Sequence, residues 1–262
     1  MHQSHLAQPS LEYCLPATSM SEKQCKEIMK PLLFRALPKM NIARTMNREA
    51  VYLPKQYNGI GALDLYLAQG KAHIKMLLQH GGQPTTTGTL IQTSLELWLL
   101  EIGTFHDLHA IPRELIQIST RSWIKQTLQF AQAKDVKLEN HKTSLCKWTS
   151  TDKSIMDEIV QYNNYDYDQL QQINRCRHYL QVTTISDITT HDGTLLQAAR
   201  DIRPYISISS ERYKWPYQPT PTATDASLWR AGLRTLGLRT HQPNAHYKYT
   251  STTPHAGYVA GW

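Results

Sequence analysis

Apolar residues recur at helical spacing through most of the chain. Ser21-Glu22-Lys23-Gln24 is a capping box, in which the Ser21 hydroxyl accepts from the backbone and Gln24 reaches back. It predicts a helix toward Leu37, disturbed by Pro31 and ended by Pro38. A second helix should begin near Ala62, with Leu63, Tyr66, Leu67, Ile74, Leu77 and Leu78 on one face and Asp64, Lys71 and Lys75 on the other. His80-Gly81-Gly82 reads as its stop. The next helix, over 88–102, is apolar nearly all round and should be buried, with Gly103 closing it. A fourth is expected over 113–134, with Ile116, Trp123, Ile124, Leu128 and Ala131 as its stripe.

Beyond a polar stretch at 135–151, read as a linker, two more helices are predicted. One lies near 152–161; the other, over 167–180, is capped by Asp166 with Gln169 three residues on. The period then changes. Val182–Ile185 is β-branched, and Asp192-Gly193 between apolar-containing flanks signals a short hairpin. Proline at 216, 219 and 221 favours an extended segment over 214–224, and a last helix should end at Gly237. The expected fold is thus mainly α, with a small β-hairpin in the C-terminal half. The expected divisions are 1–134, the linker, 152–240 and a mobile tail at 241–262. On the 167–180 helix, Leu170, Ile173, Cys176 and Leu180 define the apolar stripe, and a rotation of about 100° per residue sets Arg177 within it. Arg175 points away, toward solvent or a partner. A guanidinium facing the core needs partners, and a structural ion pair with Asp187 is expected to fix this corner.

The formal charge is +7 over 262 residues, without a long Lys/Arg run, which is compatible with a polyanionic partner. The four cysteines contain no Cys-x-x-Cys pair, and no apolar leader follows Met1. An intracellular protein with reduced thiols is expected, with nucleus and cytoplasm left open and no membrane association.

Several patterns invite chemistry. Gly59-Ile60-Gly61 precedes a helix, but Asp64 stands where a dinucleotide loop needs its third glycine, and no Gly-Lys-Ser/Thr occurs. The step reads as a tight turn. Asp166 and Asp168 lie among polar residues, and Asp166 serves better as a cap than as half of a metal-binding pair. His106-Asp107-x-His109 lacks a third ligand. No Gly-x-Ser-x-Gly elbow is present. The expectation is no catalytic residue, cofactor, metal or small-molecule substrate.

The order of segments carries a further signal. The stretch from Glu12 to His80, with its helix, its basic run through "LPKMNIARTMNREAVYLPK" and its Gly59-Ile60-Gly61-Ala62-Leu63 turn, resembles the region after the palm in reverse transcriptases of LINE-like (non-LTR) retroelements. That family shows a thumb helix, a basic stretch with proline, and a Gly-Gly-Leu-Gly-Ile turn opening a helix; here the turn is shifted. "TTTGTLIQTSLELWLLEIG", "INRCRHYLQVTTISDITTHDGTLL" and "SSERYKWPYQPTPTATDASLWRAGL" look like downstream segments, so the resemblance spans residues 11–236. It implies a helical thumb- and connection-like bundle, with 1–134 as the thumb-like and post-thumb region. Lys39, Arg44, Arg48 and Lys55 match the basic stretch and would grip RNA or DNA backbone, while Gly59 and Gly61 would form a structural hinge. In the family the metal-binding aspartates lie upstream in the palm, and this chain starts after it. The expected function is therefore that of a truncated reverse-transcriptase fragment, not an enzyme. The alternatives are a non-catalytic helical protein-interaction module, or a genomic remnant without function.

Overall fold

The computed structural model describes residues 14–104, 106–138, 153–188 and 219–237. Among these residues the fold is mainly helical: α1 (Glu22–Lys39), α2 (Arg48–Tyr52), α3 (Leu65–His80), α4 (Thr86–Ile102), α5 (Arg113–Ile118), α6 (Trp123–Ala133), α7 (Ile155–Tyr162), α8 (Tyr167–Leu180), α9 (Ile185–Ile188) and α10 (Ala223–Gly237). None of these helices is long and apolar enough to cross a membrane.

The chain forms two compact units, one from residues 1–88 with 121–140, the other from 89–120 with 141–262. It passes between them three times, at 88/89, 120/121 and 140/141. The linear division at 135–151 contains only the last passage. The helix expected over 113–134 is in fact two, α5 and α6, and the second passage falls in the break. Ser and Thr side chains make that break by bonding locally in place of the helix ladder. The Ser119 hydroxyl donates to the Ile116 carbonyl at 2.9 Å, and Ser122 caps α6 by accepting the Lys125 N–H at 3.1 Å.

In the first unit α1 starts at the Ser21–Gln24 capping box and buries Cys25, Met29, Leu33 and Leu37, one residue per turn. Pro31 lies inside it, and the helix ends at Lys39, one residue past Pro38. Pro31 is solvent-exposed, so the carbonyl it leaves unbonded one turn back can take water. The core continues through Leu15, Val51 and Leu65. Helix α3 is rotated from the amphipathic reading: it buries Leu65, Gln69, Gly70, His73 and Leu77, and leaves Leu78 exposed. Two polar side chains force this register. Gln69 accepts from the Met20 N–H at 3.0 Å and donates to the Met20 carbonyl at 2.9 Å. The His73 ring donates from Nε2 to the Thr18 carbonyl at 2.7 Å. Burying both lets the irregular segment 15–20 satisfy its backbone against α3. Gly70 admits the Phe130 ring of α6 where a Cβ would collide with it.

In the second unit α10 packs on α7 and α8, and α5 packs on the same two helices. Leu170, Ile173, Cys176 and Leu180 are buried along α8, as its pattern requires, and Trp229 and Leu233 of α10 are fully buried. The β-hairpin expected here finds no support among the described residues, which hold no strand. Val182–Thr184 supplies only one isolated antiparallel bridge, Ser154 with Thr184. From Ile185 the chain turns into α9, because Asp187 accepts the N–H groups of Thr183 and Thr184 at 2.8 and 2.9 Å. A β-branched run is overridden by side-chain capping at its end. The Asp192-Gly193 turn lies outside the described residues, as do most of the expected linker and the whole tail.

Candidate nucleic-acid interface

The basic segment begins where α1 ends. Asn41 takes a left-handed conformation at φ 58°, and the Ile42 N–H returns to the Leu37 carbonyl at 2.9 Å, folding Ile42 back toward the core. Asn47 caps α2 by accepting the Glu49 N–H at 2.9 Å, and the fully buried Val51 anchors that short helix. Between these anchors the cationic side chains turn outward. Lys39, Arg44, Arg48 and Lys55 are all exposed. The Arg44 guanidinium lies 4.1 Å above the Phe34 ring, and Arg48 donates to the Arg44 carbonyl at 3.4 Å. The fold thus brings Arg44 and Arg48 together. Lys39 closes α1, and the Lys55 stem lies along Gly61. Among the described residues, none of the four is paired with a carboxylate.

The Gly59–Gly61 turn faces inward. Gly59 N–H donates to the Pro54 carbonyl, Ile60 to Ala50, Gly61 to Leu53 and Ala62 to Val51, at 2.9–3.2 Å. Every N–H of the turn is spent on α2 and its end, so none is left to cradle a phosphate. Asp64 fills the start of α3 by accepting the Leu67 N–H at 3.1 Å. Gly61 has a φ of +69°, and a Cβ on Gly59 would overlap the Leu53 carbonyl. Both glycines are needed by the backbone.

Two buried thiols are quenched. Burial, with Asp64 and Glu22 adding to it, pushes the Cys25 thiol up to about 11. Burial, reinforced by Asp225, pushes Cys176 up to about 12. Such thiols stay protonated and are poor nucleophiles. His106 lies 3.7 Å from Asp157, but among the described residues no three His, Cys, Asp or Glu could hold a metal ion. Asp166 is the α8 cap, bonded reciprocally with Gln169.

Arg177 lies at 0 % exposure in the second unit. Its Nε donates to Asn174 Oδ1 at 2.8 Å, Nη1 to the Val182 carbonyl at 3.3 Å, and Nη2 to the carbonyls of Leu100 and Glu101 at 2.7 and 2.6 Å. A cation therefore caps the C-terminal end of α4, where the helix dipole favours one. Asp187 Oδ2 accepts the N–H groups of Thr183 and Thr184, just ahead of α9. Arg175 is half exposed and stands 3.4 Å from Asp225 of α10.

Pattern reading missed Arg35 and Phe34. Arg35 is exposed one turn before Lys39, and Phe34 carries Arg44. The buried stripe of Cys25, Met29, Leu33 and Leu37 was the signal, since it leaves positions 34 and 35 outside.

No protein-family model matches the chain, and no curated protein or solved structure matches it.

Proposed function

We propose that this chain is a non-catalytic segment that binds nucleic-acid backbone without sequence preference, through the basic run 39–55, in keeping with its resemblance to the post-palm region of LINE-like reverse transcriptases. The observation that carries the reading is that Lys39, Arg44, Arg48 and Lys55 are all exposed and, among the described residues, unpaired with any acid. Four cations on short anchored elements can each meet a phosphate and release a counterion. Phe34 beneath Arg44 holds one guanidinium outward. Arg35 extends the run along α1.

The test is the salt dependence of oligonucleotide binding by the full chain. Replacing Lys39, Arg44, Arg48 and Lys55 by Gln should weaken binding to all sequences alike. It should also flatten the log–log salt slope by up to about 0.9 per lost duplex contact. An unchanged slope moves the interface elsewhere, and absence of binding at low salt leaves the interaction-module reading. That second reading is favoured by one observation, an apolar groove on the first unit.

A further inference from the structure

The rotation of α3 has a chemical consequence. Leu67, Ile74 and Leu78 share one face, and the burial of Gln69 and His73 turns that face away from the core. Leu78 is 48 % exposed. Phe130 of α6 meets this face, held edge-on to Tyr66 at 5.4 Å between ring centres. Past the end of α6, Asp135 takes a left-handed φ of 51°, and the Val136 N–H returns to the Ala131 carbonyl at 2.8 Å. This folds Val136 back to close the groove. The result is an open apolar trough of about 540 Å³ floored by Leu67, Ile74, Leu78, Phe130 and Val136.

Its rim is cationic. Lys71 and Lys75 follow one edge of α3, Lys134 stands at the C-cap of α6, and all three are exposed. None is paired with a carboxylate among the described residues. From Leu67 to Leu78 the floor runs about 16 Å, or three helical turns. We infer that this groove docks an acidic amphipathic helix of a partner protein, whose apolar stripe fills the floor while its carboxylates meet Lys71, Lys75 and Lys134. Charge complementarity selects this occupant. A basic or neutral helix would leave three cations unmatched, and a nucleic-acid backbone would leave the aliphatic floor wet. The site is independent of the basic run at 39–55.

The probe is a fluorescent synthetic helix of about 16 residues, with leucine at i, i+3, i+4 and i+7 and glutamate on the other faces, titrated with the full chain. Two controls are a lysine-for-glutamate counterpart and a scrambled glutamate peptide. The expected result is saturable binding of the acidic helix alone, with a dissociation constant on the order of 10 µM, weakened several-fold between roughly 0.1 and 0.5 M salt. Leu78→Glu should abolish it, and the triple change Lys71→Glu, Lys75→Glu, Lys134→Glu should reverse the preference toward the basic helix. These side chains are exposed, so helical circular dichroism should match the parent. The inference is overturned by the absence of saturable binding, by equal binding of the basic or scrambled peptide, or by binding retained in Leu78→Glu. It is also overturned if the triple variant loses oligonucleotide affinity, which assigns the lysines to nucleic acid. A dimer of the chain that Leu78→Glu dissolves would overturn it too, because the occupant is then a second copy.

Discussion

Replacing Arg177 by methionine should destabilise the second unit by about 3–5 kcal/mol. Among the contacts of the guanidinium are four hydrogen bonds, to Asn174 Oδ1 and to the carbonyls of Leu100, Glu101 and Val182. Bonds from a charged donor contribute about 1.5–3 kcal/mol each, so even the low end gives about 6 kcal/mol. Methionine fills similar space and relieves the desolvation of a buried charge, which returns a few kcal/mol. The Glu101 carbonyl also keeps donors, Asn174 Nδ2 at 3.0 Å and His178 Nε2 at 2.7 Å. The Leu100 and Val182 carbonyls lose their charged donor. The assay is urea unfolding followed by tryptophan fluorescence, with the fully buried Trp229 reporting the second unit. At about 1–3 kcal/mol per molar urea, the midpoint should fall by roughly 2 M.

Arg177→Lys separates charge from geometry. If the positive end of a side chain at the close of α4 were enough, lysine would restore most of the stability. A single ammonium cannot span three carbonyls and Asn174, so Arg177→Lys should fall at least as low as Arg177→Met. A second readout follows from His178. Burial, reinforced by the Arg177 charge, pushes that imidazole down to about 3. Removing the guanidinium should raise its pKa, measurable by NMR titration. An Arg177→Met protein within about 1 kcal/mol of the parent would refute the reasoning, as would full rescue by lysine.

Two further outcomes follow. The protonated form of His178 is disfavoured in the fold, so protons bind the unfolded chain more readily and stability falls as pH drops below about 6.5 toward 3, by about 1.4 kcal/mol per unit. His178→Gln can still donate to the Glu101 carbonyl and should show a shallower slope in urea melts between pH 6 and 4, and an equal slope would sink the assignment. Gly59→Ala should cost about 1–3 kcal/mol in the first unit, because its Cβ would overlap the Leu53 carbonyl and backbone must move; a change below about 0.5 kcal/mol would mean the turn is slack.

What was legible in the sequence was local. Both capping boxes, at Ser21–Gln24 and Asp166–Gln169, are formed as their four-residue spacing requires, since all their partners lie within one turn. The inward position of Arg177 was equally legible, because rotation along a helix depends only on residue number. Its hold on the Leu100 and Glu101 carbonyls was not, since these stand far away along the chain. The strand expected at Val182–Ile185 was misread for the same kind of reason. β-branched residues mark a strand only if something pairs with them, and here Asp187 captured the backbone first.

The rotation of α3 is the sharpest case. Amphipathic reading assigns the core face by counting apolar side chains, so it set Leu67, Ile74 and Leu78 inward. Instead Gln69 and His73 are buried at 1 % exposure, because the backbone of residues 15–20 needs their donors and acceptors. A buried unpaired backbone group costs about as much as an apolar side chain left half in water, so polar demand can outweigh a weak stripe. The displaced apolar side chains then form a surface that the described residues of the unit do not cover. A helix whose apolar count and buried face disagree is thus informative in its own right: the residues it leaves over are where a partner has something to gain.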